Sequence, residues 1–221
     1  MDYNHDRRNL ERCRKPDSDD RGLYIPKSYP KLSTRYVFTM EYVQGVKISH
    51  IAADDLPGYD RRLIAQRGSQ AILNQVFIHG YFHADPHPGN ILIMPDSRVC
   101  FIDFGMMGTI IPTQQDALSS LLLALQRRDT AGTTALLLEV TRSPDHPEAA
   151  DIEYAVQLLI DEYIDLPLDE IDVASVVQSA IDLIYRFKLH FPTNLTLMCK
   201  AIAMIEGVGR QIYHGLQHSE M

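Results

Sequence analysis

One stretch constrains this chain more than any other: His83-Ala-Asp85-Pro-His87-Pro-Gly-Asn90, followed by Ile102-Asp103-Phe104-Gly105. Between its two parts lie Ile91 to Met94 and Val99 to Ile102, short strand-like runs joined by Pro95-Asp96-Ser97, which predicts a hairpin. A hairpin of that length folds Asp103 back beside Asn90. Two carboxylates and an amide then sit on non-helical backbone near strand ends. Hard oxygen donors of this kind suit Mg²⁺, which takes one or two carboxylates and leaves its other positions to phosphate and water. A second reading makes His83, Asp85 and His87 zinc ligands of a hydrolase. It leaves Asn90 and Asp103-Phe-Gly unexplained.

Composition narrows the partners. The net charge of −8 argues against a nucleic-acid surface, which needs clustered Lys and Arg. The basic cluster Arg7, Arg8, Arg12, Arg14 and Lys15 reads as a solvated helix face. Three widely spaced cysteines, Cys13, Cys100 and Cys199, suggest a reducing compartment with neither a disulfide framework nor a metal cluster. No apolar run approaches the ~20 residues of a membrane span. The first residues lack the apolar core of a signal peptide. The expectation is a cytoplasmic chain, with peripheral membrane contact left open.

Along the chain, residues 1–15 read as a charged helix with no cap before it. Residues 16–22 are a turn-rich break. Arg35-Tyr-Val-Phe-Thr-Met-Glu-Tyr-Val43 is rich in β-branched and aromatic residues and predicts a strand ending at Gly45. Leu63, Ile64, Ile72, Leu73, Val76 and Phe77 predict a helix from Arg61 to His79. Gly80 stops it. Helices are expected at about 112–128, 130–140, 147–164, 172–189 and 193–213. Glu206 and Arg210, one helical turn apart, predict a structural ion pair. The fold class is α+β, with a small remnant of sheet at 1–45 and a helical body carrying the loops at 46–221.

Asp85 followed by four residues and Asn90 has the spacing of the protein-kinase catalytic loop, and Asp103-Phe-Gly has the form of the kinase metal-binding signature. In that arrangement Asn90 and Asp103 hold metal bridging the β- and γ-phosphates, with Asp85 at the attacking nucleophile. The segments Phe82 to Asn90 and Phe101 to Gly108 resemble the UbiB/AarF family of atypical kinase-like ATPases linked to ubiquinone biosynthesis. So do Thr39-Met-Glu-Tyr-Val-Gln-Gly45, Phe191-Pro-Thr-Asn194 and Ile205-Glu-Gly-Val-Gly-Arg-Gln211. The resemblance covers nearly the whole chain. It implies a protein-kinase-like fold, mostly the helical C-terminal lobe. It also implies ATP or ADP with Mg²⁺ as cofactors. Asp85 and His87 become the catalytic-loop residues, His87 standing where ordinary protein kinases place a lysine. Asn90 and Asp103 become the metal ligands. Met40, Glu41 and Val43 become the hinge at the adenine, and Leu92 the floor beneath it.

Departures from the family's pattern carry their own expectations. The family's Lys-x-Gly-Gln region, alanine-rich phosphate loop and nucleotide lysine have no counterpart. Asp2 is what remains of a Glu-x-Asp signature. Asp6 takes the place of the lysine-pairing glutamate, one methylene shorter. The resemblance therefore implies a chain truncated at its N-terminus, an ATP- and Mg²⁺-binding atypical kinase or ATPase supporting ubiquinone biosynthesis with impaired turnover; the alternatives are an inactive binding module or one half of a split kinase. The edge of 36–42 is expected to invite self-association or a companion chain. No Ala-Pro-Glu follows Asp103-Phe-Gly, and a helix begins near Pro112. The expected phosphate acceptor is therefore a small molecule, a lipid or quinone precursor, or water.

Overall fold

The chain opens with α1 (Tyr3–Arg14), and Asp2 caps it by accepting the Asn4 N–H at 3.0 Å. The expectation of an uncapped helix is thus corrected: a side-chain carboxylate satisfies one of the free N–H groups of the first turn. Leu10 and Cys13 are buried, while Arg8, Arg12, Arg14 and Lys15 are exposed. The computed structural model describes residues 2–15, 21–53, 58–143, 148–163 and 173–217, so most of the expected turn at 16–22 lies outside the described residues.

Two units divide the described chain: residues 1–109 with 200–221, and residues 110–199. The first holds a four-stranded sheet in the order β1-β5-β4-β2. The strands are β1 (Leu23–Tyr24), β2 (Val46–Lys47), β4 (Ile91–Ile93) and β5 (Val99–Phe101). β4 and β5 form the expected hairpin, with Ile91 opposite Phe101 and Ile93 opposite Val99. β1 runs parallel to β5, and β2 antiparallel to β4. A second, two-stranded sheet pairs β3 (Tyr81–His83) with β6 (Met107–Thr109).

The expected strand from Arg35 to Val43 does not form a ladder. Among the described residues its one bridge is Met40 to Ser28, flanked by Tyr29 N–H to the Thr39 carbonyl at 2.9 Å and Glu41 N–H to the Lys27 carbonyl at 2.8 Å. Side-chain hydroxyls explain the failure. Thr34 Oγ1 accepts the N–H groups of Tyr36 and Val37 at 3.2 and 3.1 Å, and Ser33 Oγ accepts that of Thr39 at 3.0 Å. Ser and Thr thereby give the backbone a local alternative to strand pairing.

The short helix α2 (Ile48–Ala53) follows β2. Then α3 (Arg61–Asn74) begins at Asp60, whose carboxylate accepts the Leu63 N–H at 2.9 Å. It runs into a wider turn at Gln75–His79 and stops at Gly80, whose φ of +62° lies in the left-handed region that glycine adopts without a Cβ clash.

The second unit is helical: α4 (Pro112–Gln126), α5 (Thr130–Val140), α6 (Ala149–Tyr163) and α7 (Val173–Arg186), close to the expected spans. Its core gathers Leu138, Ile152, Val156, Ile160, Leu183, Ile184, Phe187 and Leu189. The last helix, α8 (Thr193–Gln217), starts in this unit, and from Lys200 onward it belongs to the first. Within that part Arg210 donates to Glu206 at 3.2 Å, the expected ion pair.

Candidate active site

The loop of interest leaves β3, and the β3–β6 pairing holds its start. Phe82 lies opposite Gly108, His83 lies opposite Met107, and Ala84 N–H donates to the Met106 carbonyl at 3.1 Å. His83 is buried. Its Nδ1 accepts the Asp85 N–H at 3.2 Å, and its Nε2 meets the Asp103 carbonyl. An Nδ1 that accepts leaves Nε2 to donate, so both ring nitrogens are committed to backbone. Burial pushes the His83 pKa below its usual value, favouring the neutral ring. A ring spent in this way has no lone pair for a metal, and the reading of His83, Asp85 and His87 as zinc ligands is corrected. Among the described residues no three His, Cys, Asp or Glu side chains come together as a metal-binding group.

The next residues turn tightly. His87 N–H donates to the Asp85 carbonyl at 2.7 Å, and His87 Nδ1 accepts the Gly89 N–H at 3.1 Å. A single 3-10 turn, Pro88–Asn90, leads into β4. Ile102 N–H donates to the Asn90 carbonyl at 3.0 Å, which closes the base of the hairpin. As a result Asn90 Nδ2 donates to Asp103 Oδ2 at 3.2 Å, the meeting that the sequence implied. Asp103 Oδ1 accepts the Gly105 N–H at 2.9 Å.

Asn90 and Asp103 open onto a cavity of about 490 Å³, which Tyr3, Asp6, Phe38 and Met40 also line. The Asp6 carboxyl is raised above its usual pKa, first by burial and then by the charge of Asp103. Of the expected nucleotide residues, Met40 reaches this cavity. Glu41, Val43 and Leu92 do not line it. The Glu41 carboxylate instead accepts from Tyr24 Oη at 2.9 and 2.8 Å and from Lys27 N–H at 3.0 Å. Val43 is buried, and Leu92 sits on β4 between Cys100 and Lys47 of the neighbouring strands.

The donors fit Mg²⁺. Asp103 supplies a carboxylate facing a cavity, and a half-turn of the Asn90 amide would present its oxygen at the same place. Two such ligands, with phosphate and water, are a usual magnesium set.

Two site residues escaped the sequence reading. Buried Asn9 of α1 donates to the Phe104 carbonyl at 2.7 Å and accepts from Tyr81 Oη at 2.8 Å. Burial pushes the Tyr81 hydroxyl up to about 12, so it remains a donor. An amide one residue before Leu10, on the helix face that Cys13 also shares, was the available signal. The other is Lys200 of α8, whose Nζ lies 2.9 Å from Asp85 Oδ1. A separation of 115 residues in sequence gave no signal for that contact.

Comparison with known proteins meets this geometry. Residues 1–137 match the ABC1 atypical kinase-like domain, and residues 156–217 match the UbiB helical domain. The chain belongs to the ABC1/UbiB family of atypical kinase-like proteins. That family is linked to ubiquinone biosynthesis. A probable protein kinase UbiB of Cellvibrio japonicus is 32% identical over 88% of this chain and 36% of its own length. Another, from Vibrio vulnificus, is 29% identical over 96% of this chain and 40% of its own length. This chain thus spans well under half of those ABC1/UbiB relatives. A Mycobacterium tuberculosis protein solved as a complex with erythromycin shares the kinase-like fold, with a TM-score of 0.64 at 16% identity. That match covers 96% of this chain and 54% of the solved one. Among the described residues no helix is long and apolar enough to cross a membrane.

Proposed function

We propose that this chain binds a magnesium–nucleotide complex, ATP or ADP, at the Asn90–Asp103 end of the cavity, and that Asp85 acts on the group that attacks the terminal phosphate. The observation that carries this reading is the 3.2 Å contact between Asn90 and Asp103, formed by the β4–β5 hairpin next to the Asp85 turn. Asn90 and Asp103 would hold the metal, whose charge offsets that developing on the phosphates. Asp85, on the turn between β3 and Asn90, would orient the attacking hydroxyl or water. Met40 would border the nucleotide; Glu41 and Val43 as the hinge and Leu92 beneath the base lie outside the cavity lining and would meet the base only where it extends past that lining.

The acceptor is a small molecule, such as a lipid or quinone precursor. After Gly105 the chain makes β6 and then starts α4 at Pro112, so residues 106–111 offer little platform for a peptide. The link of the ABC1/UbiB family to ubiquinone biosynthesis favours the same class.

Asp6 favours a second reading, a nucleotide-binding module with little turnover. It takes the position that the resemblance gives to the family's lysine-pairing glutamate, and its side chain is one methylene shorter. Phosphate release from Mg-ATP, read with malachite green, separates the two. Release that falls to background in Asp85→Asn supports phosphoryl chemistry. Equal release in both proteins contradicts the role of Asp85, and binding without release favours the module.

A further inference from the structure

Two basic residues stand at the catalytic loop, His87 on the loop itself and Lys200 on α8. The resemblance puts His87 where ordinary protein kinases place a lysine. The exposed His87 ring accepts the Gly89 N–H at Nδ1 at 3.1 Å, which leaves only Nε2 to donate. At the neighbouring carboxylate a different cation is present: Lys200 Nζ, 2.9 Å from Asp85 Oδ1. It arrives on α8, and that helix is firmly seated, because Ala201, Ile205, Val208 and Ile212 are all buried.

We propose that Lys200 supplies the terminal-phosphate cation that the loop position lacks. The inference rests on the nucleotide reading given above. An ammonium group carries three N–H donors, and the Asp85 contact uses one. The Lys200 side chain is 47% exposed and that of Asp85 35%, so the contact lies open to solvent and is accessible to a phosphate. A contact this exposed contributes little to stability. In this arrangement Lys200 orients Asp85 toward the acceptor and binds the γ-phosphate, which ATP has and ADP lacks.

The test is calorimetry on the full 221-residue chain with Mg-ADP and with the magnesium complex of a non-hydrolysable ATP analogue. Wild type, Lys200→Met and Lys200→Arg are compared, and thermal unfolding checks the fold of each. The expected result is that Lys200→Met weakens the ATP analogue about tenfold or more, the loss of one charge-assisted hydrogen bond, and leaves Mg-ADP unchanged. Lys200→Arg should restore the preference for the triphosphate. Equal weakening of both nucleotides, or of neither, overturns the role of Lys200 and leaves the Asn90–Asp103 site standing. A lowered melting temperature with loss of both ligands marks a purely structural ion pair and also overturns it. If wild type binds neither nucleotide, the reading of the site falls and this inference falls with it.

Discussion

Asn9 Nδ2 donates to the Phe104 carbonyl at 2.7 Å, so the first helix holds the Asp103-Phe104-Gly105 turn by its backbone. Asn9 also accepts from Tyr81 on β3, the strand that leads into the Asp85 loop. One buried amide thus ties together α1, the strand before Asp85 and the turn that carries Asp103.

Asn9→Ala is expected to destabilise the protein by about 2–4 kcal/mol, since it strands a buried carbonyl and a buried hydroxyl at once. Urea unfolding reads this as a lower midpoint at unchanged slope. A change within about 0.5 kcal/mol, the range of an ordinary surface substitution, would show that the network contributes nothing.

Gly108 faces Phe82 across the β3–β6 pair, and a Cβ built there would lie 2.1 Å from the Phe82 ring. Phe82 is fully buried and has nowhere to move. Gly108→Ala should therefore cost about 3 kcal/mol by overpacking. Phe82→Leu in the same protein should recover part of the loss by vacating that space. Recovery would be absent if the cost came from backbone strain instead, and thermal melts of the two variants decide this.

His83 makes stability fall in mild acid. Its folded-state pKa lies below the usual 6.5 because burial penalises the charged ring. As pH drops below roughly 6.5, the unfolded chain takes up a proton that the folded one refuses, and stability declines until the lowered folded-state value is reached. Above that window the effect is absent. His83→Gln, which keeps a donor for the Asp103 carbonyl, should show a flatter pH dependence of the unfolding midpoint. Identical slopes in the two proteins would contradict a buried neutral His83.

Legibility in the sequence followed the range of the interactions. The β4–β5 hairpin and the return of Asp103 to Asn90 depend on neighbours within one turn, and both were readable. So were the spans of α4 to α8, which lie close to those expected. The run from Arg35 to Val43 misled because β-propensity counts side chains, whereas the hydroxyls of Ser33 and Thr34 compete for the backbone N–H groups. Asn9 was hidden in a helix whose charged residues suggest a solvated surface. The β3–β6 pair is three residues long on each side, too short for a periodic signal. The Lys200–Asp85 contact depends on where α8 ends up, which local pattern does not encode.

Asp103 is the carboxylate that would receive a magnesium nucleotide. Calorimetric titration of Mg-ADP into wild type and Asp103→Asn tests this most directly. The variant should remain folded, because Asn retains an oxygen for the Gly105 N–H and removes the charge that helps to raise the Asp6 pKa. The expected result is binding heat in wild type that disappears with EDTA and is lost in Asp103→Asn at an unchanged melting temperature. Mg-ADP binding of equal strength in wild type and Asp103→Asn would contradict the assignment of the site.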